Sequence, residues 1–261
     1  MNLEILVIPL LLLVALVFSP LGLGGGVLYV PILHYMGGWP LIESLLASLA
    51  LVWMVALGSS LAHSGEGHAD RSIAKTGRIT AVPAAVVGTI IAWILIEYVS
   101  EIIIKIIASL ILIFVIERNL RSTESVSRAE DLSTYRVGTA CGGFASGLLG
   151  IGGGAIYVTL NRRLAGLVPR TAAGTSYLIG AAVVPVALLS HIIIDGTLPS
   201  VLDRTGILVA LLVPLAAFAA AFGGARTAIK HLPVNVVLAT FIVAVSASLG
   251  RYLWDIISQL A

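Results

Sequence analysis

Apolar stretches alternate with short polar ones along almost the whole chain. Several of them are as long as a helix that crosses the hydrocarbon core of a bilayer, which takes about 20 residues. In chain order the apolar stretches are 3–19, 24–36, 41–63, 76–97, 102–117, 137–149, 152–160, 171–192, 205–224 and 233–254. This pattern predicts an all-α polytopic membrane protein.

The composition agrees with that prediction. Of the 261 residues, 59% are hydrophobic and only 11% are charged, whereas a soluble domain has about 25% charged residues. Residues 3–18 lack the basic start and the small-residue cleavage site of a signal peptide. We therefore expect them to be the first membrane segment of a multi-pass protein of the cytoplasmic membrane.

The longest polar run, 118–136, reads RNLRSTESVSRAEDLSTYR and divides the chain into halves with the same plan. A glycine motif in the first half returns in the second at a constant spacing, called here the repeat offset, which carries Gly22 onto Gly150. The other matched pairs are Gly24 and Gly152, Gly25 and Gly153, Gly26 and Gly154, Tyr29 and Tyr157, Ala47 and Thr175, Ser48 and Ser176, and His63 and His191. We expect a first repeat at 1–117, a linker at 118–136 and a second repeat at 137–261.

The distribution of basic residues depends on whether the glycine motif reverses the chain. If residues 3–36 cross once, the two faces carry nine and six of the 15 Lys and Arg residues; if the chain turns back, they carry 12 and three. Because basic loops stay in the cytoplasm, the second arrangement is favoured. We predict two inverted-topology repeats, each with a glycine-broken (re-entrant or short) helical hairpin plus three transmembrane helices. Both termini are then outside, and the linker 118–136 is cytoplasmic.

Each glycine run precedes a short helix, and this suggests an anion site. A helix N-terminus presents unpaired N–H groups and a partial positive charge, and glycine lets a ligand approach the backbone closely. Two such ends meeting near the bilayer midplane bind an anion without a buried Lys or Arg. The predicted site residues are Gly24, Gly25, Gly26, Tyr29, Ser48, Gly152, Gly153, Gly154, Tyr157, Thr175 and Ser176. Close helix packing explains the same glycines, and aromatic packing explains the two tyrosines equally well.

His63 and His191 lie at equivalent ends of equivalent spans. Since histidine titrates near neutral pH, and ionisable groups in a membrane are often functional, the two are candidates for proton coupling. Structural anchoring at the membrane boundary is the simpler interpretation, and both stay open at this point.

The duplicated glycine motif, followed further along each half by A-x-x-[TA]-S, resembles the sulfite exporter TauE/SafE family of membrane permeases. Residues 222–233, FGGARTAIKHLP, are similar to the G-A-R-L-A-x-R-L-P element of that family. The resemblance covers essentially the whole chain and implies a permease that moves sulfite, sulfonates or related organosulfur anions across the cytoplasmic membrane. Thr159 stands where the proline of the second motif is expected, and Ala47 stands where the first half should have threonine.

The predicted function is therefore export of a small anion, sulfite or an organosulfonate, by alternating access, with proton coupling as an open possibility. A passive anion channel is the alternative. An intramembrane hydrolase is a remote one, because no G-x-S-x-G or H-E-x-x-H motif accompanies the serines and histidines. We expect that the protein is not an enzyme.

Other ligand classes find little support in the sequence. Residues 150–155 satisfy the dinucleotide pattern G-x-G-x-x-A, but no βαβ pattern surrounds them and position 170 is an arginine instead of an acid. No glycine run ends in a Walker A lysine, and the single Cys141 excludes a multi-cysteine metal site. We expect no cofactor, no metal and no nucleic acid. The expected partners are a small anionic substrate and the lipid bilayer, and the oligomeric state is left open, a homo-oligomer included.

Overall fold

The structure is a computed structural model that describes residues 3–120, 132–231 and 234–260. Within these ranges the chain forms ten α-helices and no β-strand. The helices are α1 (Leu3–Phe18), α2 (Gly26–Pro31), α3 (Leu41–Gly65), α4 (Arg71–Tyr98), α5 (Glu101–Leu120), α6 (Leu132–Leu149), α7 (Gly154–Arg163), α8 (Pro169–Ile194), α9 (Leu198–His231) and α10 (Val234–Leu260). The predicted all-α class is confirmed.

Five helices are long and apolar enough to cross a membrane. They are α3, α4 and α8 over their full lengths, Leu198–Thr227 within α9 and Leu238–Gln259 within α10. The apolar stretch 102–117 predicts a further span. The corresponding helix, α5, is 20 residues long, but Glu101 lies in its first turn and Arg118 in its last. Large apolar side chains such as Leu208 cover the outer surface of these helices, as expected of helices that face lipid.

The polar gaps 193–204 and 225–232 between the apolar stretches are expected to be loops, but both are shorter than expected because helix α9 extends beyond its apolar part. The loop expected at 193–204 is helical from Leu198 onward, and the loop expected at 225–232 continues α9 as far as His231. A kink at Gly206, with φ of 70° and ψ of 153°, interrupts the helix, and glycine adopts such a conformation readily. Gly77, which matches Gly206 with a shift of one position from the repeat offset, lies inside the regular helix α4.

The ends of the linker are also more helical than expected. Helices α5 and α6 extend into the stretch 118–136 from both sides. Its centre, 121–131, lies outside the described residues, as do the last two positions of the stretch 222–233.

Helix α4 begins at a clear cap, because the side chain of Asp70 accepts hydrogen bonds from the backbone N–H of Ser72 and Ile73, both at 2.9 Å.

Polar contacts group the helix ends at two opposite faces. At the linker face, which holds the end of α5 and the start of α6, Tyr135 of α6 donates to Asn161 of α7 at 2.6 Å. Nearby, the backbone N–H of Asp70, before α4, donates to Thr175 of α8 at 2.9 Å. The terminal face holds the end of α10 and the starts of α3, α5 and α9. There, Arg204 donates to Glu43 at 2.8 Å, and Lys105 donates to Asp255 at 2.7 Å.

The halves pack on each other in exchanged pairs. At the repeat offset, α6 matches α1, α8 matches α3, and α9 matches α4. Helix α4 packs on α6, and the matching pair α9 and α1 also packs together. In the same way α3 packs on α9, and the matching pair α8 and α4 packs together. The backbones touch through glycines: a Cβ added at Gly88 would meet the carbonyl of Phe144, and one added at Gly224 would meet the carbonyl of Leu16. Leu16 and Phe144 are themselves equivalent positions at the repeat offset. Glycines therefore serve close helix packing in both halves.

The equivalent helices α3 and α8 cross in opposite directions. A Cβ added at Gly174 of α8 would lie 2.7 Å from Cβ of His63 in α3, and one added at Gly180 would lie 3.6 Å from Cβ of Ala56. Residue numbers rise along α8 as they fall along α3. The two helices are therefore antiparallel.

Candidate functional site

Two glycine turns form the centre of the candidate site. The first glycine turn, residues 22–25, joins α1 to α2, and the second, residues 150–153, joins α6 to α7. Each turn has three residues in the left-handed region, which glycine adopts far more readily than other residues. These residues are Gly22 (φ 79°), Gly24 (72°), Gly25 (72°), Gly150 (65°), Gly152 (73°) and Gly153 (67°). The repeated motif therefore encodes a repeated backbone turn.

The two turns touch each other. Gly26 is the first residue of α2, and a Cβ added there would collide with the carbonyl of Ile151 in the second turn. Gly154 is the first residue of α7, and a Cβ added there would lie 2.9 Å from the carbonyl oxygens of Gly22 and Leu23. The beginning of each short helix thus lies against the turn of the other half.

Ser48 and Ser176 fix this contact reciprocally. The hydroxyl of Ser48 in α3 donates to the carbonyl of Gly150 at 2.7 Å. The hydroxyl of Ser176 in α8 donates to the carbonyl of Gly22 at 2.9 Å and lies 3.2 Å from that of Gly154. Because both hydroxyl protons are directed at turn carbonyls, these serines hold the turns in position.

Thr175 does not join the glycine turns in this structure. Its side-chain oxygen accepts the backbone N–H of Asp70, which is the cap residue of α4 at the linker face. The adjacent Ser176 points instead to the turns. The first half has Ala47 at the matching position and therefore lacks this hydroxyl. In the second half the hydroxyl of Thr175 connects α8 to the start of α4.

Tyr29 and Tyr157 are fully buried beside their own turns. A Cβ added at Gly25 or Gly153 would lie 2.9 Å from the ring of the following tyrosine. Among the described residues, neither hydroxyl has a hydrogen-bond partner. The rings fill the space under the left-handed glycines, which agrees with the packing interpretation.

A small cavity lies where the turns meet. Its volume is about 10 Å³, and it is lined by Gly22, Gly24, Val52, Ala56, Ile151, Gly152, Gly154, Ser176, Tyr177 and Gly180. Tyr177 is a lining residue that the sequence did not reveal: its hydroxyl lies 3.4 Å from both the backbone nitrogen of Gly24 and the carbonyl of Phe18. The equivalent position in the first half is Leu49, so the duplication gave no signal. The cavity has room for about one water molecule.

A much larger cavity lies on the terminal side of the turns. It has a volume of about 470 Å³ and is lined mainly by apolar side chains of α1, α3, α8 and α9, with Arg204 as its charged residue. Ala47 and Leu51 in its wall flank Ser48 along α3. The cavity therefore extends from the terminal face toward the glycine turns.

His191 forms a buried hydrogen-bonded pair with Asp195. Its Nδ1 lies 2.6 Å from a carboxylate oxygen of Asp195, and its Nε2 donates to the carbonyl of Gly147 at 2.8 Å. The side chains of His191 and Asp195 are 0% and 2% exposed, so both groups are shielded from solvent. Because a carbonyl only accepts, Nε2 carries a proton, and the short contact to Asp195 holds a second one.

His63 occupies the equivalent position in different surroundings. It is fully buried, and its ring nitrogens face backbone groups of Ser19 and Arg170 without forming a well-aligned hydrogen bond to any described residue. Its ring lies 5.9 Å from that of Tyr177. Position 67, which matches Asp195 at the repeat offset, is a glycine. The two histidines are therefore equivalent by sequence but not by chemistry.

Long apolar helices packed around two short helices that follow glycine turns define a polytopic membrane protein. The family model described as Sulfite exporter TauE/SafE matches residues 7–252, and the chain belongs to this family. The family resemblance seen in the sequence is thereby confirmed. Membership implies a membrane permease or exporter of sulfur anions. No significant match was found among curated proteins or among solved structures.

Proposed function

We propose that the protein exports a small sulfur oxyanion, sulfite or an organosulfonate, across the cytoplasmic membrane by alternating access, with the two glycine turns as the central site. The observation that carries this proposal is the meeting of the turns. In α2 the first hydrogen-bonded donors are Leu28 and Tyr29, and in α7 they are Ile156 and Tyr157. The backbone N–H groups before them begin two helices at one point, which favours an anion.

The inverted arrangement of the repeats belongs to the same proposal. The antiparallel crossing of α3 and α8, which are equivalent by sequence, supports a two-fold axis perpendicular to these helices. The basic side chains of α4, α7 and the end of α5 belong to the linker face, whereas Lys105, Arg204 and Arg251 lie at the opposite one. This sorting supports a cytoplasmic linker and external termini. Each short helix then returns the chain to the face from which it came.

Alternating access requires a path to the site from each side in turn. In this structure the terminal side has a cavity of about 470 Å³, while the space between the turns is only about 10 Å³. Sulfite needs more space than one water molecule, so transport requires the turns to separate. The two hydrogen bonds of Ser48 and Ser176 would have to lengthen or re-form during that movement.

We assign proton coupling to His191 instead of His63. His191 lies in contact with the titratable side chain of Asp195, and this contact supports the assignment. The proton on Nε2 binds Gly147 in the last turn of α6, shortly before the second glycine turn. Loss of that proton would therefore remove a hydrogen bond to the backbone that leads into the second glycine turn.

Reconstitution in sealed proteoliposomes tests the proposal. We expect sulfite or sulfoacetate to cross faster than sulfate, and we expect an imposed pH gradient to increase the initial rate. Flux that ignores the gradient and never saturates would identify a passive channel. If neither sulfite, sulfoacetate, thiosulfate nor sulfate crosses, the proposed transport is wrong. Gly153→Val should abolish flux in a protein that still inserts and folds; loss of insertion instead would leave the glycines with a packing role alone.

A further inference from the structure

Three arginines converge on one small cavity at the linker face. Arg118 lies in the last turn of α5, and Arg162 and Arg163 lie in the last turn of α7. Together with Leu23, Ala155, Val158 and Thr159 they line a mainly polar cavity of about 20 Å³. Arginine at a helix C-terminus has a general electrostatic benefit. That benefit does not explain why arginines from two separate helices face the same space.

The cavity is next to the glycine turns. Leu23 lies between Gly22 and Gly24 in the first turn, and Ala155 directly follows Gly154 at the start of α7. Gly22, Gly24 and Gly154 all line the central cavity, so residues adjacent in the chain line the two cavities. An anion held by the arginines would therefore be separated from the turns chiefly by the side chain of Leu23.

The equivalent cavity of the other half has no such charge. It also measures about 20 Å³, and its lining includes Val27, Val30, Pro31 and Ile151. These residues match Ala155, Val158, Thr159 and Leu23 at the repeat offset. In the first half, the positions of Arg162 and Arg163 are taken by His34 and Tyr35. The repeated backbone thus builds two similar cavities, and the one at the linker face is the cationic one.

We propose that Arg118, Arg162 and Arg163 form a binding site for a small oxyanion with two negative charges, and that this site delivers the anion to the glycine turns from the linker face. The guanidinium group binds oxyanions through paired N–H donors, and three of them favour a dianion such as sulfite or sulfoacetate over a monoanion. The cavity is smaller than sulfite in this conformation, so the long arginine side chains must move apart on binding. The proposal rests on the permease function for the identity of its ligand.

A lipid headgroup offers the same chemistry as a free oxyanion, so the test must separate the two sources. The full chain is purified in detergent, and sulfite, sulfate and methanesulfonate are titrated while the melting temperature and the heat of binding are measured. Methanesulfonate has a sulfonate group but only one charge. The same protein is then placed in vesicles with and without phosphatidylglycerol, and the initial rate of sulfite movement from each side is measured.

We expect Arg162→Gln together with Arg163→Gln to raise the half-saturating sulfite concentration at the linker face about tenfold, with little change from the terminal face. The matched control is Arg71→Gln, which removes an exposed charge of the same face at the start of α4. If the double variant does not fold, Arg118→Gln and the charge-retaining Arg162→Lys are used in its place.

Three results would overturn the proposed site: an unchanged half-saturating concentration, an equal effect of Arg71→Gln, or stabilisation by phosphatidylglycerol with none by sulfite. Equally tight binding of methanesulfonate would overturn its selectivity for dianions. Failure of the permease function is distinguishable from failure of the site. Sulfite binding that depends on the arginines without any flux would reject transport alone, whereas flux that ignores the arginines would reject the site alone.

Discussion

Ser48 of the first half donates its hydroxyl proton to the carbonyl of Gly150 in the second half, at 2.7 Å. The same bond exists with the halves exchanged, from Ser176 to Gly22 at 2.9 Å. The partners in the two bonds are equivalent residues of the two repeats. The two bonds therefore hold the glycine turns in place from both sides.

Replacement of Ser48 or Ser176 by alanine should destabilise the protein. Each change leaves a buried carbonyl without its donor, which costs roughly 1–3 kcal/mol. For a chain of this size we expect a fall in melting temperature of about 2–10 °C in detergent. The control is Ser190→Ala in α8, because that hydroxyl bonds the carbonyl of Val186 in its own helix. An equal loss in all three variants would show that the bonds between the halves have no special role.

Gly153→Ala and Gly196→Ala separate backbone strain from crowding. Both glycines are left-handed, with φ of 67° and 64°. A Cβ at Gly196 meets nothing within 4 Å, whereas one at Gly153 would collide with the carbonyl oxygen of Gly142 and lie 2.9 Å from the ring of Tyr157. We expect Gly196→Ala to lose about 1 kcal/mol of unfolding free energy from conformation alone, and Gly153→Ala clearly more. Equal losses by thermal or denaturant unfolding would contradict the tight packing of the turn on the carbonyl of Gly142 and the tyrosine ring.

Lys105 and Asp255 should behave as a coupled pair. Their side chains are only 4% and 17% exposed, and they join α5 to α10 at 2.7 Å. Lys105→Met or Asp255→Leu alone leaves one charge without its main partner and should cost about 3 kcal/mol. The double variant should lose less than the sum of the single ones, which a double-mutant cycle of unfolding free energies measures. Additive losses would mean that the two charges act independently.

His191→Gln should remove the response of transport to a pH gradient. Glutamine can still donate to the carbonyl of Gly147, but it holds no titratable proton. The flux of sulfite into vesicles with and without the gradient gives the coupling, and His63→Gln serves as the matched control on the equivalent helix. A gradient response that survives in His191→Gln would place the coupling group elsewhere.

Cysteine labelling tests the inverted topology. Gly67 follows α3 and Gly196 follows α8, and a Cβ at either meets nothing within 4 Å. With Cys141, the single native cysteine, replaced by serine, we expect Gly67→Cys and Gly196→Cys to react with an impermeant reagent from opposite sides of the membrane. Labelling of both from the same side would indicate parallel repeats.

The sequence by itself determined the helical class, the repeated glycine turns and the family. These follow from local properties, because apolar length sets a membrane helix and only glycine readily accepts several left-handed positions within one short turn. The extent of α9 was missed, since the apolar pattern marks the part of a helix that lies in lipid and not its polar ends.

Only the tertiary structure decided which predicted site residues lie together. It brought Ser48 and Ser176 to the turns of the opposite halves, directed Thr175 to Asp70, and buried Asp195 against His191. It also brought Arg118 beside Arg162 and Arg163. Such pairings join residues that are distant in sequence, and equivalent positions such as Gly67 and Asp195 have diverged. The repeat offset predicts where partners should be sought, but contact and burial between the helices decide the chemistry that each position has.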